Sequence, residues 1–246
     1  MTRISDIHFE ILADPESLAR RVADWMLAAV TNKDGTFSVA LSGGSTPQAL
    51  YRHLAEPGYR DSFPWQRMHW FWGDERFVPH DDAQSNYRMV HEALLAHVPV
   101  PAANIHPIPT EGLDPEAAAA AYDRELRTFY GSDSFDPARP LFDINLMGLG
   151  EDGHTASLFP GSSVLGERER WVAAGPGPKQ DMRITLTYPA LESSAQMAFL
   201  VAGRAKREIL ARFRNGDDAL PSVHVHPRGS LHVFADVAAA GVAGVE

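Results

Sequence analysis

Phe37-Ser38-Val39-Ala40-Leu41-Ser42-Gly43-Gly44-Ser45-Thr46-Pro47 is an apolar run that breaks at two glycines and ends on a proline. Phe37 to Leu41 has the length of a buried strand. Pro47 suits the first turn of a helix, because its missing N–H would have no partner there in any case. That helix continues through Leu50 and Leu54. Strand, tight polar loop, helix is the building unit of an α/β fold.

The same alternation extends in both directions. Ile7 to Leu12 alternates like a half-buried strand, and Asp14-Pro15 opens a helix with Leu18, Val22, Trp25, Met26 and Ala29 on one stripe. Met68 to Trp72 reads as the next strand, Gly73 to Asn86 as a polar loop, and Asn86 to His97 as a helix. Ile105 to Ile108 is a short strand, Asp114-Pro115 opens a helix through an alanine run, and Phe142 to Met147 is a strand. Arg183 to Thr187, Met197 to Val201 and Leu231 to Ala235 complete the strands. Gly203 leads a helix through Ile209, Leu210 and Phe213, and Gly175 to Lys179 reads as a surface loop. The expectation is an α/β domain over 1–246, with a mainly parallel, Rossmann-like central sheet and helices on both faces. Ligands in such folds bind beyond the carboxyl ends of the strands. Three polar loops stand there: Ser42 to Pro47, Gly73 to Asn86, and Gly148 to Ser163.

Composition narrows the chemistry. The chain has no cysteine, so disulfides, thiolate nucleophiles and cysteine-zinc sites are excluded. A net charge of −10 without a long Lys/Arg run speaks against nucleic acid as a partner. Stretches such as Ala198 to Ala202 and Val237 to Val245 are too short to span a membrane, and the opening residues Met1 to His8 lack the apolar core of a signal peptide. The expectation is a cytoplasmic protein whose anion site, if it has one, works against its own overall field.

Each of the three loops carries candidate chemistry. In Ser42, Gly43, Gly44, Ser45 and Thr46, glycines let a ligand approach the backbone, and the following helix supplies free N–H groups. That suits phosphate, although the Gly-Lys-Ser/Thr ending of a Walker A loop is missing. The same residues could form a plain turn with Ser45 or Thr46 as helix cap. Asp74-Glu75-Arg76 follows an aromatic strand and suits base work or anion gripping, or else a solvated charged turn. Gly148-Leu-Gly-Glu-Asp-Gly-His154 fits the dinucleotide pattern Gly-x-Gly-x-x-Gly. Pro160-Gly161 leaves little room for the helix that reading needs, and no acidic strand end follows about twenty residues later. His154 beside Asp152 is the more useful feature: a histidine titrates near neutral pH and can take a proton from water, with a carboxylate setting its tautomer. A lone surface histidine is the competing reading. His224 and His226 would share one face of a strand and could hold a metal, but no third ligand is evident, so no metal is expected.

Taken together the loops are more specific than any one of them. Leu41-Ser-Gly-Gly-Ser-Thr-Pro47, Asp74-Glu-Arg76 with Ser85-Asn-Tyr87, and Gly148-Leu-Gly-Glu-Asp-Gly-His-Thr-Ala-Ser-Leu-Phe-Pro-Gly161 stand in this order, followed by Arg183-Ile-Thr-Leu-Thr187 and Phe199-Leu-Val-Ala-Gly-Arg-Ala-Lys206. The chain resembles the 6-phosphogluconolactonases of the pentose phosphate pathway from about Phe37 to Asp236. That family shares its fold with glucosamine-6-phosphate deaminases, whose Asp-Gly-His continues to an Asn-Glu-Pro. Here the glutamate position holds Phe159, which favours the lactonase. Two departures stand out. The Lys-Pro-Pro that lactonases often carry before Arg-Ile-Thr is replaced by Gly175-Pro-Gly-Pro-Lys-Gln-Asp-Met182, and the late strand Leu231 to Asp236 has no tryptophan.

The resemblance implies that His154 activates water, that Asp152 orients His154 and that Asp74 shapes the site. It assigns the substrate phosphate to Ser42–Thr46 with Arg76, Arg183 and Lys206. The substrate would be a small sugar-phosphate lactone, no organic cofactor would be needed, and a monomer is expected. The alternatives are a deaminase or isomerase, disfavoured by Phe159, and a sugar-phosphate sensor of transcription-regulator type. The sensor is disfavoured by the acidic charge and by a sheet that begins at Ile7.

Overall fold

The computed structural model describes residues 7–242. The opening stretch read above for a signal peptide and the end of the Val237 to Val245 run lie partly or wholly outside the described residues. In the first half the elements are β1 (Ile7–Leu12), α1 (Pro15–Thr31), β2 (Phe37–Leu41), α2 (Ser45–Leu54), α3 (Pro57–Arg60), β3 (Met68–Trp72), β4 (Asp74–Arg76), α4 (Asn86–Val90), β5 (Ile105–His106) and α5 (Pro115–Tyr130). There follow β6 (Phe142–Gly148), β7 (Val172–Pro176), β8 (Met182–Leu186), α6 (Tyr188–Glu192), β9 (Ser194–Val201), α7 (Arg207–Arg214), β10 (Ser230–Asp236) and α8 (Val237–Ala240).

Seven strands form one parallel sheet in the order β1-β10-β9-β6-β2-β3-β5. Every residue of β2 is buried, as a central parallel strand covered on both faces must be. Helix α1 buries Leu18, Val22, Met26 and Val30 and packs on α2 and β10. Asp14 caps it by accepting the Ser17 N–H at 2.7 Å, and Asp114 caps α5 by accepting the Ala117 N–H at 2.8 Å.

The strand order places the ligand crevice. From β2 the chain runs through α2 to β3 on one side, whereas from β6 it proceeds to β9 on the other. The order therefore reverses between β2 and β6, where loops leaving the carboxyl ends diverge and open a cleft. Those loops are the Ser42 and Gly148 loops. Two buried tyrosines finish the strands beside them. The Tyr51 hydroxyl accepts the Ser42 N–H at 3.0 Å and donates to the Ser42 carbonyl at 2.8 Å. The Tyr122 hydroxyl accepts the Trp72 N–H at 2.9 Å at the end of β3.

Several expectations need correction. Arg183 to Thr187 does not extend the main sheet: β8 lies centrally in a separate antiparallel sheet, β4-β8-β7. The Gly73 to Asn86 loop contains β4, and the Gly175 to Lys179 loop begins inside β7. Three charged residues and a Pro/Gly-rich segment carry no period that marks a strand; pairing with β8 makes them strands. Ile105 to Ile108 shortens to the edge pair Ile105–His106, and the helix after Asn86 ends in a π-helical turn over His91–Leu95. His224 closes a 3-10 turn over Pro221–His224 rather than sharing a strand face with His226. Among the described residues, no group of three or more His, Asp or Glu could hold a metal ion.

Candidate active site

At the β2–β6 reversal lies a cleft of about 540 Å³, lined from the three loops by Ser42–Thr46, Asp74, Arg76, Asp152 and His154 but not by Glu75. Ser42, Gly43, Gly44, Ser45 and Thr46 form one wall, Asp74, Arg76 and Arg183 a second, and Asp152 with His154 a third, with Lys206 at the start of α7.

The Ser42–Thr46 wall is a helix start without a side-chain cap. Gly44 is the cap residue at φ 104°, a backbone shape that glycine alone adopts readily. Neither Ser45 nor Thr46 caps the helix; both stand in its first turn, where their N–H groups have no intrahelical partner. Those groups and the positive end of the helix favour an anion. Gly43 is needed for close packing, since a Cβ there would stand 2.1 Å from Asn86 Oδ1.

His154 is held from below and beside. A Cβ on Gly150 would fall 2.0 Å from His154 Nδ1, so the ring rests directly on that glycine. The Asp152 Oδ1 atom lies 2.5 Å from His154 Nδ1 and accepts the His154 N–H at 3.1 Å. Burial works against the ionised Asp152 carboxyl, but the His154 N–H and imidazole outweigh it and hold its pKa below the ordinary value. With Asp152 ionised, Nδ1 is the donor and Nε2 of the neutral ring carries the free lone pair. The Phe159 ring packs 4.6 Å from the imidazole and lines the cleft. Between them Ala156 adopts φ 47°, an uncommon backbone shape for a residue with a side chain.

Asp74 is buried and ties two walls together: its Oδ2 accepts the Ser157 hydroxyl at 2.6 Å, and its carbonyl accepts Asn86 Nδ2 at 2.9 Å. Arg76 and Arg183 face each other across the β4–β8 pair. Like charges directly opposite repel, and the Nε atoms of both are buried without a partner. Two adjacent cations lining one cleft with a helix N-terminus make an anion site.

The profile of the family described as glucosamine-6-phosphate isomerases/6-phosphogluconolactonase matches residues 13–233. The chain belongs to this family. It is 40% identical over 237 residues to a 6-phosphogluconolactonase of Nostoc sp., covering 94% of this chain and 95% of the relative. The crystal structure of 6-phosphogluconolactonase from Thermotoga maritima superposes with a TM-score of 0.80 at 30% identity, covering 94% of this chain and 99% of that one. A monomeric glucosamine-6-phosphate deaminase superposes at a TM-score of 0.82 with 19% identity, over 96% of this chain and 100% of that one, a likeness of fold alone. In this chain the Asp152-Gly-His154 loop supplies the cleft's imidazole and the Gly43-Gly44 loop its helix start.

Two residues near the site have structural roles that the sequence did not assign them. The nearly unexposed carboxylate of Glu75 accepts the backbone N–H groups of Arg76, Asn86 and Tyr87 at 2.7–2.8 Å and the Ser85 hydroxyl at 3.1 Å. It thereby fixes the far end of the Gly73 loop, although burial still raises its pKa. Its partners lie mostly ten or more residues away, so no local pattern marks it. Tyr51 is likewise invisible locally, because it reads as one more apolar residue of α2. Replacing Tyr51 by Phe removes the hydroxyl that bonds both the Ser42 N–H and the Ser42 carbonyl. The expected loss is about 1 kcal/mol of stability, read from denaturant melts, together with weaker binding of inorganic phosphate. An unchanged melt and unchanged phosphate binding would dismiss the clasp.

Proposed function

We propose that the protein hydrolyses 6-phospho-D-glucono-1,5-lactone to 6-phospho-D-gluconate in the oxidative pentose phosphate pathway. The observation that carries this is the joint placement of an Asp152–His154 pair and a cationic helix start in one cleft. The phosphate sits on Gly43–Thr46 with Arg76, Arg183 and Lys206 around it, and the lactone carbonyl faces His154. His154 Nε2 takes a proton from water as the oxygen attacks the carbonyl carbon. A tetrahedral oxyanion forms against N–H or cationic donors of the cleft. As it collapses, the ring C–O bond breaks and the proton held on His154 passes to the departing ring oxygen. Asp152 holds the imidazole in the productive tautomer, and Asp74 keeps the Ser157 and Asn86 walls in register.

One chain is enough to build the site from its own residues. A phosphorylated lactone crosses membranes poorly, so the enzyme works in the compartment that forms its substrate, for which the cytoplasm is our reading.

Phe159 supports lactonase over deaminase action. Opening an amino sugar, moving a proton between neighbouring carbons and releasing ammonia all need placed proton carriers, and a phenyl ring is none. The test is to generate the lactone freshly, add protein and record opening above the spontaneous rate. A parallel incubation with glucosamine 6-phosphate should release no ammonia. Sustained ammonia release without faster lactone opening would overturn the assignment.

A further inference from the structure

The two arginines opposite each other on β4 and β8 pose a physical problem. Their charges repel, yet an anion grip needs both guanidinium groups to point the same way. Arg76 is restrained by its own loop: Nη1 donates to the Gln84 carbonyl at 2.6 Å. Arg183 has a different restraint. Its Nη2 lies 2.6 Å from Asp181 Oδ2, in the hairpin loop between β7 and β8. We infer that Asp181 is a positioning residue that pins Arg183 from behind so that its remaining N–H edge faces the cleft.

The packing of the hairpin supports this. Gly177 N–H donates to the Asp181 carbonyl at 2.7 Å, and Gln180 N–H to the Gly177 carbonyl at 3.0 Å. That closes a tight turn, with Gln180 at φ 60°. A Cβ on Gly177 would stand 2.7 Å from Asp181 Oδ1 and 2.9 Å from Arg183 Nε. Carboxylate and guanidinium thus lie side by side under the glycine, joined through Nη2 and Oδ2, with Arg183 Nε and Asp181 Oδ1 left unpartnered. Asp181 is not among the residues lining the cleft, whereas Arg183 and Pro178 are. The carboxylate therefore does not occupy the ligand's place. It offsets one of the two like charges. Burial alone would raise the Asp181 pKa, but the Arg183 charge holds it below its ordinary value, so the carboxyl stays ionised near neutral pH.

The segment Gly175-Pro-Gly-Pro-Lys-Gln-Asp-Met182 carries both members of the pair. Gly177 and Asp181 work as a pair: the glycine makes room, and the aspartate uses it. Pre-organising a guanidinium avoids the ordering cost that a free arginine pays on binding.

The inference rests on the reading of Arg183 as a phosphate anchor, and the experiment separates the two. Competitive inhibition by inorganic phosphate and KM for the phosphorylated lactone are measured for wild type, Asp181→Asn, Asp181→Glu, Gly177→Ala and Arg183→Gln. Unphosphorylated gluconolactone serves as the control substrate. Asp181→Asn and Gly177→Ala, which disturb the same pair from different positions, should each weaken phosphate inhibition and raise KM by about five- to tenfold. Their kcat and their rates on gluconolactone should stay within about twofold, and Asp181→Glu should fall between Asp181→Asn and wild type. Unchanged or tighter phosphate binding in Asp181→Asn, or equal losses on both substrates, overturns the inference. If Arg183→Gln itself leaves phosphate inhibition unchanged, the anchor reading fails, and this inference with it.

Discussion

His154→Ala lowers kcat on 6-phosphogluconolactone by about 100- to 10,000-fold, the range that a positioned proton acceptor typically contributes. KM changes little, because the imidazole acts on water rather than on the phosphate that anchors the ligand. The residual rate stays above the spontaneous one, since the cleft still orients the lactone and offers oxyanion donors. The geometry motivates the size of the effect. His154 Nδ1 is engaged by Asp152 at 2.5 Å and the ring rests on Gly150, so the base is already aligned. Stopped assays with freshly made lactone, alongside a melt showing an intact fold, provide the measurement. Near-normal turnover in a folded variant would remove His154 from the mechanism.

Arg183→Gln separates the phosphorylated ligand from its unphosphorylated analogue. A charge-assisted hydrogen bond contributes about 1.5–3 kcal/mol, so KM for the phosphorylated lactone should rise roughly 10- to 100-fold. Gluconolactone, with no phosphate to hold, should be affected far less. The placement of Arg76 and Arg183 opposite each other on the cleft wall motivates the prediction. Wild-type binding should weaken with added phosphate, and with salt to a lesser degree than at a surface site. Equal losses on both substrates would make Arg183 structural or catalytic instead of an anchor.

Much of this was legible in the residues. The Phe37–Leu41 strand, the glycine loop and the Pro47 helix turn are local features, set by backbone sterics and hydrophobic burial within about twenty residues. The same holds for the helix beginnings at Asp14 and Asp114, where a side chain caps N–H groups three residues on. Less was legible where a residue acts through distant partners. Glu75 looked like part of a charged turn, yet its acceptors bind backbone groups on α4. Asp181 was assigned no role, and it lies against Arg183 only because the β7–β8 hairpin folds it there.

By itself the sequence determined the alternation of strands and helices, the three loops at strand ends and the residue types available for proton transfer and anion binding. These follow from short-range chemistry, in which each residue's conformational preference and neighbours suffice. Only the tertiary structure decided that the strand order reverses between β2 and β6 and that β4, β7 and β8 form a separate antiparallel sheet. It alone set Arg76 opposite Arg183. Those facts depend on hydrogen bonds and packing between segments up to about a hundred residues apart. No local period encodes such pairings, because their free energy exists only once the chain has closed the intervening loops.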